Sequence, residues 1–277
     1  MAADLAILVS SYQRPHHLLR VLTSIACQQG VDWPRLEVVV TDDGSRDETI
    51  ELIQEFARTA PFPLAFTTHP HETFQLARCR NEGVRASTAE YLLFLDGDCL
   101  LPPDHLWQHL RRRRRRTAMA GYCVLLTPQQ TEQITTDAIR RADYLSWADK
   151  SELRKLARLD RKSRFYELLR HPTKPKLFGG NIGIWRDDYE RVNGYDEEYE
   201  GWGCEDDDLR LRLRRSGTRI RSILRWTRTY HLWHPRGETT PSSWKAGRNV
   251  RRLTEGIRPT RCARGLYPLG HNRERAA

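Results

Sequence analysis

A chain of 277 residues, 39% hydrophobic and 30% charged with a formal net charge of +10, has room for one large domain or one and a half small ones. Its apolar residues cluster in runs of strand length, which supports a core. No run approaches the about 20 residues of a membrane span, and the N-terminus lacks the pattern of a secretory leader. The excess cations, including the unbroken run Arg111–Arg116, favour anionic partners: nucleotide phosphates, acidic lipids, or nucleic acid bound without sequence preference. The cysteines at 27, 79, 99, 123, 204 and 262 form no Cys-x-x-Cys and no zinc spacing, so reduced thiols in the cytoplasm are the simplest reading.

Leu5–Val9 reads as a buried parallel strand, followed by the loop Ser10 to Pro15. Pro15 opens a helix with Leu18, Leu19, Leu22 and Ile25 on one face. Leu36–Val40 is a second strand, leading into Thr41-Asp42-Asp43-Gly44-Ser45. A helix from about Asp47 to Arg58, a third strand Leu64–Thr67 and a helix near Phe74 to Ala86 lead to the apolar run Tyr91–Asp96. This alternation implies a mostly parallel sheet flanked by helices, with ligands bound beyond the carboxyl ends of its strands. The loops 10–14, 42–45 and 96–98 all fall at that edge.

Asp96 and Asp98 stand with one residue between them at the end of a strand, a placement that lets two hard oxygen ligands converge on a divalent cation. Asp43 is placed as a base or ribose contact. Phe74 suits a helix-start staple or a surface for a nucleobase. Arg78 and Arg80 read equally as surface charges or phosphate contacts.

In the second half, Gly201-Trp202-Gly203-Cys204 precedes four consecutive carboxylates, Glu205 to Asp208, and a helix that gathers arginines before Gly217. Acid at its start and base at its end suit the helix dipole, so part of the run, Asp207 and Asp208, is expected to cap the helix. Ser151 to Arg170 reads as a basic amphipathic helix or pair, and Arg111–Arg116 as the end of the helix after Pro103. A last strand is expected at about Ile220 to Trp226, with His231 and His234 following it.

These residues carry a resemblance. Val9-Ser-Ser-Tyr12 with Arg14-Pro15, Val40 to Ser45, Ala77-Arg-Cys-Arg-Asn81 with Gly83, and Glu90 to Asp98 resemble the family-2 glycosyltransferases of the GT-A fold. Phe178-Gly179-Gly180-Asn181, Val192-Asn-Gly-Tyr195, and Gly201-Trp202-Gly203 with Glu205 to Asp208 resemble the β-1,4-galactosyltransferases and bacterial chondroitin-type polymerases. Phe74-Gln-Leu-Ala77 fits the same pattern. The resemblance spans about residues 5 to 235 and is most specific at Gly-Trp-Gly-x-Glu-Asp-x-Asp. It departs at Cys204, where those enzymes carry glycine, and in the unmatched stretch Pro128–Lys176. The membrane anchor and stem of the animal enzymes are expected to be missing.

The resemblance implies a metal-dependent inverting glycosyltransferase that moves a hexose or N-acetylhexosamine from a UDP-sugar to a hydroxyl of a glycan or glycoconjugate. Mn2+ or Mg2+ would sit on Asp98, helped by Asp96 and by His231, with His234 as the alternate. Ser10, Tyr12, Arg14, Asp43, Phe74, Arg78 and Asp96 would hold the nucleotide sugar. Asp206 would be the general base, Glu205 would orient the acceptor, and Trp202 and Gly180 would contact the sugar. One catalytic domain is expected over 1–255, with a nucleotide-binding half 1–100 and an acceptor-binding half 101–255. A basic, loosely ordered tail is expected over 256–277. Peripheral contact with the anionic inner face of the cell membrane follows from the cation-rich composition. A rival reading from the same charge is a nucleic-acid-binding protein with a vestigial nucleotide fold, although no specific nucleic-acid motif appears.

Overall fold

The computed structural model describes residues 3–235, 244–255 and 259–268. Four strands, β1 (Leu5–Ser11), β2 (Leu36–Asp42), β3 (Leu64–Thr68) and β4 (Tyr91–Asp96), alternate with α1 (Pro15–Ala26), α2 (Thr49–Ala57) and α3 (Leu76–Arg85). The two-residue β5 (Cys99–Leu100), α4 (His105–Arg112), β6 (Thr117–Ala120) and β7 (Cys123–Leu125) follow. Next come the short helices α5 (Pro128–Glu132), α6 (Thr136–Arg140) and α7 (Tyr144–Trp147), then the long α8 (Lys150–Leu168). β8 (Asn181–Trp185), α9 (Arg186–Arg191), α10 (Glu205–Arg215), β9 (Arg219–Ser222), β10 (Thr229–His231) and α11 (Arg248–Glu255) complete the order.

The large sheet runs β3-β2-β1-β4-β8-β6-β9. All its pairings are parallel except those of β8, which is antiparallel to both β4 and β6. β1 is apolar at every position from Leu5 to Val9 because both of its faces are covered. Leu5, Ile7 and Val9 pack with Leu18 and Leu22 of α1 on one side, while Ala6 and Leu8 pack with Ala77 and Val84 of α3 on the other.

Two pairings position the site. Leu95 of β4 is opposite Asn181 of β8, so Phe178–Gly180 lie beside the carboxyl end of β4. A small second sheet, β5-β10-β7, pairs His231 with Cys99, which directly follows Asp98. The Leu232 amide also donates to the Asp98 carbonyl at 2.8 Å.

The parallel half follows its sequence pattern closely. β6, β7 and β8 carry no comparable signal, being short and set among glycines and polar residues. The strand expected at about 220–226 is shorter, and His231, which follows it, ends a further short strand, β10. Arg113 to Arg116 lie beyond the end of α4. The tail reading needs correction for residues 259–268. Cys262 and Leu266 are buried, the Asn193 amide donates to the Cys262 carbonyl, and Arg85 donates to the Leu266 carbonyl. Residues 256–258 and 269–277 lie outside the described residues. Among those described, no helix is long and apolar enough to cross a membrane.

Candidate active site at the carboxyl edge of the large sheet

Asp96 ends β4, and Asp98 follows in the turn before β5. The two carboxylates take different partners. Asp98 faces His231 Nε2 at 3.5 Å, His234 Nε2 at 3.3 Å and Arg14 Nη1 at 3.6 Å. Burial by itself would push its carboxyl up; His231, His234 and Arg14 outweigh that and hold it well below the usual carboxylate range. One ligand atom each from Asp98, His231 and His234 lies within 4.8 Å of the others. A carboxylate oxygen with two imidazole nitrogens is a donor set that fits a first-row divalent cation such as Mn2+. Both histidines therefore reach the carboxylate that sequence reasoning had allotted to one of them. Asp96 falls in a neighbouring group with Asp98 and Cys99.

Asp96 is tied to Arg80. This arginine is 1% exposed, so its reading as a surface charge fails; it is an internal bridge. Its Nη2 donates to Asp96 Oδ1 at 3.1 Å and its Nη1 donates to Asp206 Oδ1 at 2.9 Å. The Tyr195 hydroxyl also donates to Asp206 Oδ1, at 2.8 Å, and the Gly179 amide donates to Asp206 Oδ2 at 2.7 Å. Gly179 and Gly180 make this closeness available. A Cβ on Gly179 would lie 1.8 Å from Arg80 Nη2, and one on Gly180 would lie 2.7 Å from Asp96 Oδ2.

Glu205 lies 3.9 Å from Arg80 Nη1. Its Oε2 is buried with no hydrogen-bond partner among the described residues. Burial first, and the neighbouring Asp206 charge second, push its carboxyl up to about 7. Two adjacent acids therefore differ in kind, one anchored by donors and one desolvated.

The loop before α10 is built on left-handed backbone, with φ of +76° at Gly201 and +95° at Gly203. Cys204 keeps that conformation at φ +74° where the galactosyltransferase pattern has glycine. The Gly201 amide donates to the Phe74 carbonyl, and the Asn249 amide of α11 donates to the carbonyls of Glu200 and Gly203. Trp202 is half-buried on this pinned loop. The capping role expected of Asp207 and Asp208 is not observed. Cys204 is the N-cap and makes no side-chain cap. Asp207 pairs with Arg210 at 2.8 Å, and Asp208 pairs with the buried Arg212 at 2.7 Å.

At the other end of the edge, the buried Asp43 accepts from the Gln75 amide and faces His69 Nε2 at 2.8 Å. The other nitrogen of His69 meets Glu82 at 2.9 Å. Tyr12 stacks on His71 with 4.3 Å between ring centroids. Ser10 is buried, and its carbonyl accepts from the Gly97 amide, which ties the first loop to the Asp96–Asp98 turn. Arg78 is turned back onto Glu82 and Gln75. His69, His71 and Asn249 were not singled out from the sequence, and Tyr195 stood there only within the Val192–Tyr195 motif, with no role of its own. The two histidines follow β3 at the same carboxyl edge as the other polar loops, which is a usable signal; Asn249 gave none.

Comparison with known proteins agrees with this geometry. The model of glycosyl transferase family 2 matches residues 6–190, and that of the N-terminal domain of galactosyltransferase matches residues 162–235. The chain is 27% identical over 265 residues to a chondroitin synthase from Escherichia coli, covering 89% of this chain and 37% of that protein. It thus spans only part of the length of the curated relatives it matches. Among solved structures, GalNAc-T7 with UDP, GalNAc and Mn2+ superposes with a TM-score of 0.62 at 15% identity, covering 92% of this chain and 48% of the other. A mannosyltransferase from Pyrobaculum calidifontis, in complex with GDP-Man and Mn2+, gives 0.59 at 19% identity over 86% and 59%. These likenesses identify the mixed sheet as the GT-A fold. With its strand-end carboxylates and acidic helix start set at one edge of that fold, the chain belongs to glycosyl transferase family 2 and is a glycosyltransferase.

Proposed function

We propose that this enzyme transfers a hexose or N-acetylhexosamine, with inversion, from a UDP-sugar to a hydroxyl of a glycan or glycoconjugate in the cytoplasm, using Mn2+ or Mg2+. One observation carries the reading: Arg80 joins the strand-end Asp96 to Asp206 of the acidic helix, beside the Asp98–His231–His234 group. A cation held by Asp98, His231 and His234 would supply charge neutralisation for the departing diphosphate. Arg14, at the same corner, and Arg78 would contact the phosphates, and Ser10, Tyr12, Phe74 and Asp43 the nucleoside end.

Asp206 would accept the acceptor hydroxyl proton while that oxygen bonds to the anomeric carbon and the carbon–phosphate oxygen bond breaks, releasing UDP. Its bonds from Arg80, Tyr195 and the Gly179 amide suit a carboxylate held in place and aimed. Glu205 would orient the acceptor, and Trp202 and Gly180 would face the sugar. Residues from both halves meet here, so 1–255 would act as one catalytic domain. A nucleic-acid-binding protein has no use for this buried acidic and imidazole constellation.

GalNAc-T7 is solved with UDP and the Pyrobaculum enzyme with GDP-Man, so the fold alone leaves the base open. A panel of UDP- and GDP-sugars with Mn2+, read by released nucleoside diphosphate, decides it. Release from a UDP-sugar and inverted product by NMR are expected. Release only from GDP-sugars would refute the donor, and absence of release from any would refute the reading.

A further inference from the structure

The two basic segments are well separated in sequence, yet they meet at the far end of the large sheet. β6 and β9 are parallel, with Thr117 opposite Arg219 and Met119 opposite Arg221. This puts Arg219 and Arg221 on one face beside Arg114, Arg115 and Arg116, and the five line a groove. Arg115 is held over the Trp185 ring at 3.7 Å. The side chains of Arg114 and Arg219 are exposed and make no ion pair among the described residues.

Arg221 also pairs with Glu167 at 2.5 Å, which brings the end of α8 to the groove. Phe165, Leu168 and Leu169 there are 57%, 79% and 58% exposed. They share one side of the helix end by their three- and four-residue spacing. Exposed Arg161, Lys162, Arg164 and Arg170 surround them. Among the described residues only one other large hydrophobic residue, Trp233, is exposed, so the apolar exposure is concentrated on this tip.

We propose that the arginine groove and the tip of α8 form one face that docks the protein on an anionic bilayer. The arginines meet headgroup phosphates while Phe165, Leu168 and Leu169 enter the boundary between headgroups and acyl chains. A soluble polyanion would satisfy the arginines but leave the three apolar side chains in water. The groove lies at the amino ends of β6 and β9. Because β8 is antiparallel to both β4 and β6, that end is opposite the one carrying Asp96. Docking therefore leaves the active edge uncovered.

The test is co-sedimentation of the full chain with phosphatidylcholine vesicles, with and without phosphatidylglycerol, at low and high salt. Binding to the anionic vesicles only, weakened by salt, is expected. Arg114→Ala and Arg219→Ala should each weaken it about five-fold. Leu168→Ser with Leu169→Ser should weaken it on the order of ten-fold or more, at unchanged melting temperature because these side chains are already in water. Equal pelleting with neutral vesicles would overturn the proposal. So would leucine variants that bind like the parent protein, or retention on heparin without vesicle binding, either of which marks a plain polyanion site.

Discussion

Arg80 and Asp206 are joined at 2.9 Å, and the other arm of the same buried guanidinium holds Asp96 at 3.1 Å. Carboxylates from two distant parts of the chain are thus fixed relative to each other by one side chain. Only a planar fork can reach both; a lysine ammonium can replace one arm at most.

Arg80→Lys should therefore lower both stability and transfer. Removing one partner of a buried charge network costs about 3–5 kcal/mol, and lysine recovers part of that. Transfer is expected to fall at least ten-fold, while Mn2+-dependent UDP affinity changes little because Asp98 pairs elsewhere. Denaturant melts with calorimetry of UDP binding check this. A lysine variant with unaltered transfer would remove the bridge from the mechanism.

Asp98→Ala should abolish the metal dependence of UDP binding. His231 and His234 lie at nearly equal distances from Asp98, 3.5 and 3.3 Å, so His231→Ala and His234→Ala should weaken it to similar extents. The reading is on the order of ten-fold each, by titration of UDP with and without Mn2+. Loss confined to one variant would assign the other histidine to packing.

Much of this site was legible because it follows from strand ends. An apolar run closing on Asp96-Gly97-Asp98 has one sensible place in a parallel sheet, and loops 10–14 and 42–45 follow it there. Arg80 was not legible. Its burial depends on Gly179, about a hundred residues away, yielding the space for its guanidinium. Asp207 and Asp208 looked like helix caps because local rules read charge against the dipole. What separates the members of the run Glu205–Asp208 is tertiary: Arg80 for Asp206, Arg212 for Asp208, and no hydrogen-bond partner among the described residues for Glu205 Oε2. The packed 259–268 segment was equally hidden, since its two buried side chains sit in a stretch whose composition is that of a tail.

Glu205 gives a pH signature. Its carboxyl is pushed from 4.5 up to about 7, so the folded protein keeps this proton to higher pH than the unfolded chain does. Stability from this group is full below pH 4.5 and is lost as pH rises through about 7. Glu205→Gln has no such proton to lose. Its stability relative to the parent should rise across that window and level off above it, by on the order of 1–3 kcal/mol. Urea melts of the two proteins across the window measure the gap. A gap that is flat with pH would mean the carboxyl titrates like an exposed one.

The final prediction separates chemistry from architecture within the acidic run. Asp206→Asn keeps the size of the side chain, and its amide oxygen can still accept from Arg80 and Tyr195, but the NH2 standing in place of Oδ2 cannot accept from the Gly179 amide, and basicity is lost. Transfer should fall by about two to four orders of magnitude, the usual contribution of general-base catalysis. Mn2+-dependent UDP affinity should survive, because Asp98, His231 and His234 are untouched. Asp208→Asn should do the reverse. Its partner Arg212 is buried, and with the charge gone it faces neutral acceptors, among them the carbonyls of Val192 and Gly194. Stability should drop by on the order of 3 kcal/mol while the folded fraction turns over near the parent rate. Rates, UDP affinities and melts of both variants are read side by side, with Glu205→Gln as the third. Near-normal transfer in Asp206→Asn, with loss in Glu205→Gln, would move the proton acceptor to Glu205, whose carboxyl near 7 suits that work at neutral pH.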